Sequence, residues 1–219
     1  MILLGMLLER IFIRPLVGET PFTIAIMTIG ISIFIRGLSG MIWGYDTFKF
    51  NTGITDVPIR AGDIVISSMN LWIIIIILIL IIALYIFFNR TRIGISIMAS
   101  SQNQLAAYLM GINVNGVFSR IWAMSALVAA VAGICLCPVH FLSNNMSYIG
   151  LKAFPAAVLG GFGSIPGAIV GGIIIGISEA LAGNYLGSEF KGVFAWVILI
   201  ALLMIRPHGI FGVQKVNRV

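Results

Sequence analysis

Ionisable residues are scarce in this sequence, so each one inside an apolar stretch is a candidate for chemistry. Charged residues make up 9% of the 219 positions, with 13 Lys and Arg against 7 Asp and Glu. Glu179 is the single acid in the second half of a Gly-rich region, about 151–185. On a helix starting near residue 165 it would lie about fourteen residues in, roughly 21 Å at 1.5 Å per residue. An ionisable group at that depth is a functional-site candidate. The plainer reading is a group at the outer membrane interface, or one paired with a neighbouring helix. His140 and His208 are single histidines at the ends of apolar runs, which is no metal-ligand set. Cys135 and Cys137 share an apolar run and read as small buried hydrophobes rather than a disulfide framework. The phosphate-cradling pattern G-x4-G-K-[ST] is absent, and "GFGSIP" has Pro166 where a dinucleotide fingerprint needs its last glycine. These residues predict no catalysis, no metal and no cofactor in this chain.

The elements that hold these residues follow from composition. The chain is 60% hydrophobic, with a mean hydropathy of +1.11. Soluble domains carry about 25% charge, so this chain lacks the polar groups to cover a water-facing surface and belongs in a bilayer. Its net charge of +6 is spread along the loops, which reports topology and not nucleic-acid binding. Long apolar segments predict spans near 21–43, 70–88, 119–139 and 190–205, and Pro21 suits a first helical turn. "MILLGMLLERIF" predicts a partial helix over 1–12, too short to span and unlike a signal peptide. It reads as the tail of a helix in a chain shortened at its N-terminus.

Loop charges orient the spans. "ERIFIRP" carries Arg10 and Arg14, the stretch 90–120 carries Arg90, Arg92 and Arg120 with no acid, and the tail adds Lys215 and Arg218. Loop 45–69 instead has three Asp against Lys49 and Arg60. The positive-inside rule puts the basic stretches and the C-terminus in the cytoplasm and loop 45–69 outside. Region 151–185 must then begin and end outside. A re-entrant segment over 151–163 and a returning span over 165–184 satisfy this count.

The turn between them is "AAVLGGFGSIPGAIVGG", 156–172, with six glycines and Pro166. Each Gly costs a helix about 1 kcal/mol relative to Ala and each Pro about 3. Non-helical backbone at membrane depth is tolerated only where protein buries it or water reaches it. Broken helices of this kind mark transport pathways. Gly163, Gly167 and Gly171 at four-residue spacing, with Gly172 and Gly176 beside them, read as a close-packing face, as a hinge, or as both. In 90–118 the polar run "SSQNQ" leads into "LAAYLMGINVN", an apolar turn that Gly111 would cap. That stretch is either a surface helix or a docking helix for a cytoplasmic partner. "RPHGIFG", 206–212, reads as a helix stop.

"LAAYLMGIN", then "KAFPAAVLGGFGSIPGAIVGGIIIGISEAL", then "RPHGIFG" resemble, over nearly the whole chain, the permease subunit of branched-chain amino acid ABC importers, its H-type more than its M-type. The resemblance implies an all-α polytopic transmembrane bundle with a Gly/Pro-broken re-entrant segment, in a bacterial inner membrane. It implies as partners a second, M-type permease, two ATP-binding subunits, an extracytoplasmic amino-acid-binding protein and membrane lipid. ATP hydrolysis would belong to the partner subunits. By the same resemblance Gln104, Leu105, Ala106, Ala107, Gly111, Ile112 and Asn113 form the ATPase-coupling segment, although Leu105 stands where the family usually has an acid. Gly160, Gly161, Gly163, Pro166, Gly167 and Glu179 fall on the pathway or its gate. Related importers of urea or short amides, and a self-contained channel or secondary transporter, are the competing readings.

Overall fold

The computed structural model describes residues 1–49, 58–61, 64–144, 146–161, 163–187, 189–206 and 209–212. The regular elements among them are helices apart from one short hairpin, and the chain divides into two units, Met1–Asn144 and Asn145–Val219.

The first unit begins with α1 (Ile2–Leu8), which widens into a π-helical turn (Glu9–Ile13) and ends in a short 3-10 turn (Arg14–Leu16). α2 spans Pro21–Trp43, α3 Ser68–Arg90, α4 Arg92–Gln102, α5 Gln104–Leu109 and α6 Val114–His140. α2, α4, α5 and α6 start at side-chain caps, because the first N–H groups of a helix have no partner inside it. Thr20 Oγ1 accepts from the Thr23 N–H, Asn103 Oδ1 from Ala106, and Asn113 Oδ1 from Gly116. Thr91 serves two helices, donating to the Phe87 carbonyl at 2.6 Å and accepting from the Gly94 N–H at 3.0 Å. The chain therefore folds back sharply, and a Cβ on Gly94 would strike the Phe87 carbonyl. Gly5 plays the same part between α1 and α6, where a Cβ would meet the Trp122 carbonyl and Ala126.

Loop 45–69 carries an element the sequence reading passed over. β1 (Pro58–Ala61) pairs antiparallel with β2 (Ile64–Ser67), Pro58 opposite Ser67 and Ala61 opposite Ile64. Phe48 and Leu142 bridge through both backbone hydrogen bonds, at 2.8 and 2.9 Å. Cys135 and Cys137 are buried free thiols on α6, as small hydrophobes would be.

The second unit holds α7 (Met146–Leu151), α8 (Ala153–Gly160), α9 (Ile165–Tyr185) and α10 (Lys191–Ile205). Leu159, Ile175 and Ala195 form its core, with Ala156, Ile198 and Leu202 packed around them. Among the described residues, four helices are long and apolar enough to cross a membrane: α2, α3, α6 and α9. α10, expected as a fifth span, has 15 residues. α3 buries none of its side chains in the fold. A helix apolar on every side that its neighbours cover only in part requires an apolar surrounding, which the hydrocarbon of a bilayer supplies.

Candidate functional site

Three arrangements gather the residues that chemistry and spacing single out. The first is the turn between α5 and α6. Gly111 adopts φ +82°, a left-handed conformation that favours glycine. Its N–H donates to the Tyr108 carbonyl at 2.9 Å, and the Ile112 N–H donates to the Ala107 carbonyl at 3.0 Å. This nested pair is the Schellman ending of a helix. Asn113 follows directly as the cap of α6, so only four residues separate the end of α5 at Leu109 from the start of α6 at Val114. The result is a rigid corner and not a slack loop. Leu105, Tyr108, Leu109 and Met110 stand 68–84% exposed on it. An open hollow of about 570 Å³ lies alongside, lined by Tyr108, Leu109 and residues 111–115.

Of the predicted coupling residues, Gln104, Leu105 and Ala106 are exposed, whereas Ala107 is turned inward and buried. The outward face is carried by Tyr108, Leu109 and Met110, which the sequence reading did not name as contacts. Helical spacing from Leu105 would have found Tyr108 and Leu109, because i+3 and i+4 share its face; Met110 is the residue that caps the end of α5.

The second arrangement is the helical hairpin of α8 and α9. Gly160 lies against Gly167, and Gly171 against the Ala156 carbonyl. These pairs step oppositely along the two helices, so the helices run antiparallel in backbone contact. Ser164 Oγ caps α9 by accepting from the Gly167 N–H at 3.1 Å, and Pro166 occupies its first turn. Gly161 and Gly163 take φ +100° and +87° and make the reversal. Gly163 therefore belongs to the turn and not to the helical face expected of it, and open space surrounds it. Gly172 and Gly176 likewise face open space. Close packing of α8 against α9 falls to Gly160, Gly167 and Gly171.

The last carbonyls of α8 find donors far along the chain. The Ile210 N–H donates to the Leu159 carbonyl at 2.9 Å, and the Phe211 N–H to the Gly160 carbonyl at 3.0 Å. The approach needs glycine on both sides, since a Cβ on Gly161 would strike Gly212 and one on Gly209 would strike the Val158 carbonyl. The segment read as a helix stop is also a cap for the hairpin. Pro207 and His208, part of that reading, lie outside the described residues.

The third arrangement concerns Glu179. Lys152 Nζ lies 3.0 Å from its Oε1, off the line a hydrogen bond needs, with the side chains 29% and 14% exposed respectively. The pair ties the junction of α7 and α8 to α9. Lys152 was missed because its partner lies beyond the glycine turn, outside any local spacing rule. Glu179→Gln is expected to destabilise the purified chain by about 1–3 kcal/mol, less than the loss for a fully buried pair, because Lys152 keeps some access to water. Exchanging the charges, Lys152→Glu with Glu179→Lys, is expected to restore most of that loss. Thermal melting in detergent measures both, and an exchanged pair no better than Glu179→Gln contradicts the assignment.

Comparison with known proteins adds to this geometry. The family described as "Branched-chain amino acid transport system / permease component" matches residues 2–203. The high-affinity branched-chain amino acid transport system permease protein BraD of Pseudomonas aeruginosa is 34% identical, over 98% of this chain and 72% of its own. The LivH permease protein of Escherichia coli K12, of the same description, is 35% identical over the same shares. The ribose import permease protein RbsC of that organism is 35% identical over 53% of this chain and 39% of its own. No solved structure matches the chain.

Proposed function

The chain belongs to the family of branched-chain amino acid transport system permease components, and from that premise we propose that it is one of two membrane-spanning subunits of an ATP-driven importer of branched-chain amino acids. The observation that carries the proposal is the rigid corner at Gly111 with its exposed Leu105, Tyr108, Leu109 and Met110. Apolar side chains held outward by a fixed turn suit insertion into a cleft of another protein. Arg90, Arg92 and Arg120 flank the corner, so the positive-inside rule turns it to the cytoplasm, where ATP-binding subunits reside.

In this reading the inner membrane of a bacterium houses the chain, with its C-terminus cytoplasmic. A loaded binding protein docks on the outer loops, a similar permease completes the pathway, and two ATP-binding subunits close on ATP. Their closure displaces α5, the spans rock, and the amino acid passes between the permeases. The hairpin of α8 and α9 enters from outside and returns, its glycine turn and small residues lying beside the pathway. The binding protein sets most of the selectivity. Glu179, already paired with Lys152, offers no free charge for a proton relay.

Co-expression with the ATP-binding and partner permease subunits, followed by pull-down on the tagged chain, tests the proposal. Wild type is expected to recover the ATP-binding subunits, and Leu109→Glu to reduce that recovery by about tenfold or more, as loss of a central anchor does. Full recovery with Leu109→Glu, or none with wild type, contradicts it.

A further inference from the structure

Among the described residues Glu9 is the largest that the fold hides almost completely, at 1% exposure. Its Oε1 accepts from Arg14 Nε at 3.2 Å, and its Oε2 accepts from Arg14 Nη2 at 3.3 Å and from Ser119 Oγ at 2.6 Å. Arg14 Nη2 also donates to Ser119 Oγ at 2.9 Å, which closes a ring of three side chains. In a regular α-helix residues five apart lie about 140° apart around the axis. The π-helical turn removes that obstacle. The Arg14 N–H bonds back to the Glu9 carbonyl, so both side chains reach the same face. Such turns are rare and recur at functional sites.

Packing alone does not require this ring. Gly5 already lets α1 lie against the backbone of α6, and apolar residues hold two helices together at least as well as a buried ion pair. What an apolar contact lacks is direction. It resists separation but lets one helix slide along another, whereas a two-pronged charged hydrogen bond fixes position. The place fixed here is specific. Ser119 lies six residues beyond Asn113, the cap of α6, about 9 Å along the helix from that cap.

We propose that the Glu9–Arg14–Ser119 ring is a positioning device for transport, locking the first turns of α6 to the π-helical turn so that displacement of α5 moves the membrane helices together. The inference rests on the reading of α5 as the docking helix. With the ring intact, a push on the corner is carried by α6 and the N-terminal helix as one body. With it broken, α6 slips along α1 and the push is absorbed. Arg14, 40% exposed, holds the ring from its open side.

The test is the whole complex in liposomes, with ATP hydrolysis and uptake of labelled leucine measured on the same sample. Ser119→Ala is the gentle variant, because it leaves Glu9 paired with Arg14; Glu9→Gln is the severe one. Ser119→Ala is expected to assemble with unchanged subunit ratios and to hydrolyse ATP within about twofold of wild type. Leucine moved per ATP is expected to fall by about fivefold or more. Ser119→Thr, which keeps the hydroxyl, restores it. Unchanged leucine per ATP in Ser119→Ala and Glu9→Gln overturns the inference alone, since the wild-type complex still couples. Loss of hydrolysis and uptake in step with loss of subunits reduces the ring to a structural staple. A wild-type chain that recruits no ATP-binding subunit overturns the docking reading and this inference with it.

Discussion

Gly167→Leu is expected to abolish leucine uptake and to lower the melting temperature of the purified chain, while Gly172→Ala, five residues further along α9, impairs neither. A Cβ on Gly167 would strike the Gly160 carbonyl, and a Cβ on Gly160 would strike the Gly167 carbonyl. Both walls of this contact are backbone, so no side chain can swing aside. Overpacking a filled site costs about 1–3 kcal/mol and sometimes more. Here the two helices must part, which also opens the contact between Gly171 and the Ala156 carbonyl. Gly172 and Gly176 have open space instead, so alanine there gains up to about 1 kcal/mol of helix propensity. Fluorescence-detected melting in detergent separates the cases. Wild-type melting in Gly167→Leu would mean that α8 and α9 do not meet at these glycines.

Gly111→Pro is expected to leave membrane insertion intact and to remove the ATP-binding subunits from the purified complex. Proline fixes φ near −65°, whereas the corner requires +82°. Proline also lacks the N–H that donates to the Tyr108 carbonyl. The two losses together cost about 3 kcal/mol or more, enough to unravel a helix of six residues. Gly111→Asn is the control, because asparagine visits the left-handed region and ends helices there. It is expected to retain most of the recovery. Equal recovery from all three chains would show that the corner's shape is irrelevant to docking.

The spans were legible where a cap and a hydropathy change coincide. Pro21–Trp43 matches its expected range because Thr20 and Pro21 mark its start. α6 begins at Val114 and not near 119, because its first turns are polar and hydropathy alone starts the count too late. Asn113 was the available signal. Gly111 as a helix ending was readable from its neighbours, but the inward turn of Ala107 was not, since it depends on what packs beneath. The hairpin of β1 and β2 had a signal in "PIRAGDIVIS", with glycine and aspartate between two short runs. Glu9 and Arg14 escaped because helical reasoning looks for partners three or four residues away, and a π-helical turn cannot be seen in the letters. Lys152 and Glu179 escaped because their meeting depends on the turn that folds α8 onto α9.

The capping of α8 by Ile210 and Phe211 has a consequence for how the protein is made. A ribosome adds about 5–20 residues per second, so roughly 3–10 s separate the synthesis of Gly160 from that of Phe211. Throughout that interval the last carbonyls of α8 lack their final donors, and the hairpin is incomplete even when α9 is already in place. The fold of the second unit is therefore closed from its far end, by residues that emerge after α10. Until then a nascent chain presents an unfinished helix end to the insertion machinery and to proteases. A stop codon after α10 would leave every helix of this unit present and its closure undone.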